Sequence, residues 1–252
     1  MKGFRLCFGI LVFLDLAIGC CSYALNALPD IGNKEFIEEC VRVHNNFRSN
    51  VDPPASNMKR MSWDYALAKT ANAWAKMCQF EHNAELKIPR KVHPNFTAVG
   101  ENIWTGSLGH FNVTSALVSW YNEIRYYNYA TQKCSHVCGH YTQMVWATSY
   151  KIGCAVHFCQ KVHGFSLPNA AHFICNYGPS GNYPTRPYMS GAVCSKCLGE
   201  PCTEKLCGKL EEEAVCDQYC ISILVLRPSL AVLTLGVVFI VQRHYPTMNI
   251  SE

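Results

Sequence analysis

Cys138-Gly139-His140-Tyr141-Thr142-Gln143-Met144-Val145-Trp146 is the stretch on which the reading of this chain turns. Aromatic and β-branched residues dominate from Tyr141 onward. Tyr141, Gln143 and Val145 alternate with Thr142, Met144 and Trp146, so Tyr141 to Trp146 reads as a strand. Gly139 permits a tight backbone entry. His140 then stands at the mouth of the strand, where an imidazole reaches a pocket. A lone histidine there is as a rule merely hydrogen-bonded, so its meaning depends on what converges on it.

Two further strands follow, Gly153 to Cys159 and Ala171 to Tyr177, and a turn-dense exit from Gly178 to Pro184. Helices precede them. Phe36, Ile37, Cys40, Val41, His44 and Phe47 recur at helical spacing and predict a helix over Glu35 to Arg48. His44 and Arg48 share one face, one turn apart, and read as a polar helix end that hydrogen-bonds neighbouring loops. Pro53-Pro54 forbids continuation. Asp64 to Cys78 is a second helix, with Leu67, Ala68, Ala71, Trp74, Ala75 and Cys78 inward and Ser62 or Asp64 as its cap. His82 lies just past its end, beside a cysteine whose disulfide fixes its place. Residues 83–98 read as an exposed loop. Gly100 to Trp104 reads as a short turn whose acid, Glu101, is partly buried by Val99, Ile103 and Trp104 and so needs a partner. Val113 to Tyr127 is a third helix, with Glu123 beside its apolar stripe. Helices early and strands late imply an α+β layered domain, a mostly antiparallel sheet covered by helices.

The 252 residues suffice for one core of ordinary size with extensions, and the formal charge of +4 is scattered rather than clustered, which excludes nucleic acid as a partner class. Lys2 and Arg5 precede an apolar run from Leu6 to Ile18, and Ser22-Tyr23-Ala24 offers a cleavage site, so residues 1–24 read as a secretory leader. Removing Cys7, Cys20 and Cys21 from the 16 cysteines leaves 13 in an oxidising compartment, mostly as disulfides with at least one thiol left over. Six of them, Cys78, Cys134, Cys138, Cys154, Cys159 and Cys175, allow about 15 pairings by themselves. Cys40 is a seventh without assignment. Asn95 and Asn112 head two glycosylation sequons; a third, at Asn249, depends on the topology of the C-terminus. Cys194, Cys197, Cys202 and Cys207 form a segment too short to bury a core; in this compartment two disulfides explain it better than zinc.

Ile221 to Val241 is an apolar stretch interrupted by Arg227 and Pro228, with Glu211, Glu212 and Glu213 before it and Arg243 and His244 after. Its length, and the bases at its far end, predict a transmembrane helix with a short cytoplasmic tail at 242–252, a single-pass type I arrangement. A lipid-anchor signal is the rival, but that signal ends in its apolar run.

Four blocks then resemble one family in order. GHYTQMVW (139–146) and HFICNYGPSGNY (172–183) are similar to the two signature motifs of the CAP superfamily, which takes in cysteine-rich secretory proteins, venom allergens and plant pathogenesis-related proteins. HNNFR (44–48) and GENIW (100–104) are similar to its two shorter motifs. The resemblance spans residues 35–190, with 191–210 similar to the family's Cys-rich hinge, and is nearest to the branch that joins this domain to a membrane span. It implies a three-layer α-β-α sandwich with a central cleft. It implies that His82, Glu101, Glu123 and His140 line that cleft, that the two histidines can hold a divalent metal such as Zn2+, and that the two acids orient them. The six further cysteines of channel-modulating relatives are missing past the hinge, where Cys216 and Cys220 alone follow.

Two functions remain. One is a non-enzymatic binding module, extracellular on its anchor or secreted, for a protein, glycan or lipid partner. The other is a metal-dependent hydrolase or protease with Glu101 or Glu123 as general base. No HExxH segment supports the second.

Overall fold

The computed structural model describes residues 28–210 and 218–245. The leader at 1–24, Glu211 to Glu213, Cys216, Asn249 and the last residues of the tail lie outside the described residues. The chain forms two units, one ending at Lys209 and one beginning at Leu210.

In the first unit, α1 (Lys34–Ser49) starts where the Asn33 side chain accepts from the Phe36 amide. Its buried residues, Phe36, Cys40, Val43, His44, Asn45 and Arg48, follow the helical period. After β1 (Ser62–Trp63), Asp64 caps α2 (Tyr65–Ala75) by accepting from the Ala66 and Leu67 amides. Next come β2 (Gly100–Ser107), α3 (Val113–Tyr121), the small strands β3 (Tyr127–Asn128) and β4 (Lys133–Cys134), α4 (Gly139–Met144), β5 (Lys151–Cys159) and β6 (Ala170–Gly178). The main sheet runs β1-β5-β6-β2, antiparallel except for the β1–β5 edge.

Alternation sorts the sheet's two faces. Cys154, Val156, Phe173, Cys175 and Tyr177 point to a core shared with Phe36 of α1, Leu117 and Trp120 of α3, and Tyr141 and Met144 of α4. Ala155, Ile174 and Ile103 point the other way, onto Ala71 and Ala75 of α2. This is the expected α+β sandwich of three layers. Gly153 explains how close α2 comes: a Cβ there would lie 2.1 Å from the Ala68 amide nitrogen.

Four local expectations are corrected. Tyr141 to Trp146 is not a strand; residues 139–144 form helix α4. Strand propensity describes fit to a half-exposed pleated surface, whereas Tyr141 to Met144 are buried throughout and the Glu123 carboxylate accepts the first amides of the helix. Gly100 to Trp104 is not a turn but the start of β2. Gly100 is there for approach, because a Cβ would meet the Gln143 side chain of α4 at 2.1 Å. The third helix stops at Tyr121 and tightens into a 3-10 segment, Asn122–Tyr126, which carries Glu123. Residues 83–98 are also less exposed than expected. They contain the 3-10 turn Ala84–Lys87, and Leu86, Phe96 and Val99 pack on Leu67.

All ten expected cysteines pair: Cys78–Cys159, Cys134–Cys138, Cys154–Cys175, Cys194–Cys202 and Cys197–Cys207. Cys40 is a buried free thiol. The Cys-rich segment forms the hairpin β7 (Cys202–Thr203) and β8 (Leu206–Cys207). It docks on the domain: Cys207 exchanges backbone bonds with Met58 and Arg60, and Leu206 enters the main core. Among the described residues, the core, the main sheet and the five disulfides lie within residues 28–209, which is what this unit needs to fold on its own.

The second unit contains α5 (Gln218–His244), a helix of 27 residues with Pro228 inside it. Among the described residues, no helix is long and apolar enough to cross a membrane, so the predicted span is not borne out. Arg227 and Pro228 interrupt the apolar stretch, while Val232, Leu233, Leu235, Val237, Phe239 and Ile240 are exposed.

Two histidine–glutamate pairs at the edge of the sheet

The four residues singled out above form two pairs. The first sits where α2 gives way to the loop that the Cys78–Cys159 disulfide pins. There Glu101, on β2, accepts from His82 Nδ1 (2.9 Å) and from the Asn83 amide (3.0 Å), both through Oε1. Its side chain is 2% exposed while that of His82 is 68% exposed. The carboxylate is thus fixed inside and the ring stands outside. Glu101 Oε2 is buried with no hydrogen-bond partner. The hydrogen bond to Glu101 raises the His82 pKa above the usual imidazole value, and partial burial opposes it.

The second pair joins the 3-10 segment to α4. His140 Nδ1 lies 2.6 Å from Glu123 Oε1. Glu123 Oε2 accepts from the His140 and Tyr141 amides at 3.0 and 3.3 Å. One carboxylate therefore orients the ring and also caps the helix that carries it. The His140 ring lies parallel to the Trp120 indole, 5.9 Å between centroids, and Trp120 stacks in turn on Phe173. The Trp120 Nε1–H donates to the Ile103 carbonyl, 3.3 Å away.

Consecutive residues of β2 tie the pairs together. Glu101 holds His82, and Asn102 donates to the His140 carbonyl (3.0 Å) and to the Tyr177 hydroxyl (3.2 Å). Since β2 is an edge strand, both pairs sit at the sheet's margin. In both pairs the carboxylate takes Nδ1, which leaves Nε2 of each ring for an outside ligand.

Sequence reasoning missed three contributors, Asn102, Trp120 and Tyr177. Asn102 carried the one usable signal, a polar residue on the inward-facing side of an apolar-flanked motif. The described residues contain one group of three metal-ligand side chains within 4.8 Å, Cys194, Cys197 and Cys207. All three are already in disulfides, so no thiolate is free there. Asn95 and Asn112 are both exposed; Asn112 also caps α3 by accepting from the Ser115 amide.

The model of the cysteine-rich secretory protein (CAP) family matches residues 41–177. Mouse Glioma pathogenesis-related protein 1 is 52% identical over 211 residues, covering 83% of this chain and 79% of that protein. GLIPR1-like protein 1 of Bos taurus is 50% identical over 186 residues, covering 73% and 76%. Among solved structures, NaASP2 with Zn2+ superposes with a TM-score of 0.53 at 28% identity, over 72% of this chain and 100% of that one. The fold, the ordered motifs and these relatives agree: the chain belongs to the cysteine-rich secretory protein family.

Proposed function

We propose that this protein is a non-enzymatic binding module of the secretory pathway, anchored by α5, whose His82 and His140 hold a divalent metal, zinc by preference. One observation carries the metal reading: each ring gives its Nδ1–H to a buried or half-buried carboxylate, which leaves Nε2 as the ring's ligand atom. This is the carboxylate–histidine arrangement that fixes tautomer and raises ligand basicity at zinc sites. Two neutral imidazoles suit zinc and leave positions for water or a partner's side chain. The solved NaASP2 structure was obtained with Zn2+, which supports the same ion here.

The geometry favours binding over hydrolysis. A general base needs a lone pair facing the reacting water. Glu123 accepts three donors, His140 Nδ1 and two backbone amides, and Glu101 lies 2% exposed behind His82. Glu123 is committed to orientation, and the unpartnered Oε2 of Glu101 is buried away from water. Asn95 and Asn112 are proposed to carry glycans, and the occupant of the cleft to be a protein, glycan or lipid.

Zinc titration of the unit 28–209, secreted from a eukaryotic host, tests this. One ion per chain is expected, with affinity lowered at least about tenfold in His82→Ala and in His140→Ala. No turnover is expected on a broad peptide library. Zinc-dependent cleavage lost in Glu123→Ala would replace the binding reading with the hydrolase, and no zinc uptake at neutral pH would end the metal reading.

The anchor has its own check. The exposed leucine, valine, isoleucine and phenylalanine side chains of α5 need apolar cover, which a membrane supplies. The full chain is expected to stay with membranes after alkaline carbonate extraction. Full release into the supernatant would refute the anchor.

A further inference from the structure

His44 and Arg48 are 0% and 1% exposed, one turn apart on α1, and neither belongs to the histidine–glutamate pairs. Both nevertheless lead to the helix that carries His140. His44 Nδ1 faces the Cys40 carbonyl at 2.7 Å, which can only accept, so the proton sits on Nδ1. His44 Nε2 then accepts from the Tyr177 hydroxyl at 3.0 Å. The Tyr177 oxygen accepts from Asn102 Nδ2, which also donates to the His140 carbonyl. This chain of donors runs in one direction, from Asn102 to Tyr177 to His44 to Cys40, and its Asn102 end is fastened to the first turn of α4.

Arg48 reaches the other end of α4. Its Nη1 donates to the Met144 carbonyl, which the helix leaves open at its C-terminus, and to the Trp146 carbonyl two residues beyond, both at 2.8 Å. With six residues, α4 is far too short to hold itself by its own hydrogen bonds. Its position must come from outside.

Resting on the metal-binding reading of the two pairs, we infer that the His44–Tyr177–Asn102 chain and Arg48 are positioning residues for His140. They grip α4 at both ends so that the His140 ring is set before any ligand arrives. His82 has no share in this device, because its place is fixed by Glu101, Asn83 and the Cys78–Cys159 bridge. The two imidazoles are therefore held by separate means and should respond separately to substitution.

Tyr177→Phe removes one hydroxyl and keeps the ring; Asn102→Ala removes the contact to the His140 carbonyl directly. In each variant of the unit 28–209, zinc affinity is expected to fall about tenfold. In histidine-selective NMR of the metal-free protein, the His140 ring resonances should shift or broaden while those of His82 keep their wild-type positions. A merely structural role would move both rings together or neither. Zinc affinity and His140 resonances unchanged in both variants would overturn the inference, and equal shifts of His82 and His140 would do the same. Failure of the wild type to bind zinc would sink the metal reading instead, and the resonances of the metal-free protein would still judge the positioning role.

Discussion

Arg48→Ala is expected to cost this protein on the order of 5 kcal/mol of stability, enough to stop it accumulating as folded protein. Arg48 donates to five backbone carbonyls, those of Lys59, Met144, Trp146, Ala147 and Ser149, at 2.7 to 3.2 Å. They belong to segments that lack a common sheet or helix to pair them. Truncation removes every side-chain donor at once; the Trp146 and Ala147 carbonyls keep the Ser149 and Lys59 amides, and each of the other three left buried and unpaired costs about 1–3 kcal/mol, partly recovered by water. Arg48→Lys should rescue little, since a lysine ammonium has three donors on one atom and cannot span five acceptors. Denaturant unfolding of the secreted domain measures it. A loss below about 1 kcal/mol in Arg48→Ala would show that the carbonyls find other donors.

Acid should unfold the domain more readily than neutral pH, through His44. Burial, helped by the positive charge of Arg48 and opposed by the Cys40 carbonyl, lowers the His44 pKa from 6.5 to about 4. The folded state keeps this ring neutral where the unfolded chain protonates it. Below pH 6.5 the unfolded state thus binds more protons, and stability falls until the folded form titrates near pH 4. A shift of that size amounts to about 3 kcal/mol. His172, wholly inside the sheet and lowered to about 4 by burial, acts in the same direction. His82, raised by Glu101, acts in the opposite sense. Unfolding midpoints at about pH 7.5 and about pH 4.5 should therefore differ clearly, and His44→Gln should flatten the profile by about one proton. Equal stability at the two pH values would contradict the buried, neutral assignment of His44.

The architecture was largely legible because burial leaves a period behind. Phe36, Cys40, His44 and Phe47 announce α1, and the apolar runs of β5 and β6 announce strands. The site residues His82, Glu101, Glu123 and His140 were legible through motif resemblance, and their pairing follows from where β2 and α4 place them. The secondary structure around His140 was misread for a physical reason. A short segment buried on all sides has no polar face, so alternation in it carries no information. The capping acid that makes it a helix, Glu123, belongs to a separate 3-10 segment well before it in the chain. Gly100 to Trp104 was read as a turn, whereas it is strand, and Gly100 lets α4 come near. Disulfide partners were not legible either, because pairing is set by the register of β5 against β6 and by the hinge hairpin. The polar chain from His44 to His140 joins positions 44, 177, 102 and 140, and nothing local in the sequence links them.

Zinc K-edge X-ray absorption on the loaded domain addresses the central claim without intermediaries. If His82 and His140 hold the ion through Nε2, its first shell contains only nitrogen and oxygen, with imidazole nitrogens at about 2.0 Å. The imidazole signature should disappear when both histidines are replaced by alanine. A sulfur shell at about 2.3 Å would put the ion on a cysteine thiolate instead, and would contradict the site described here.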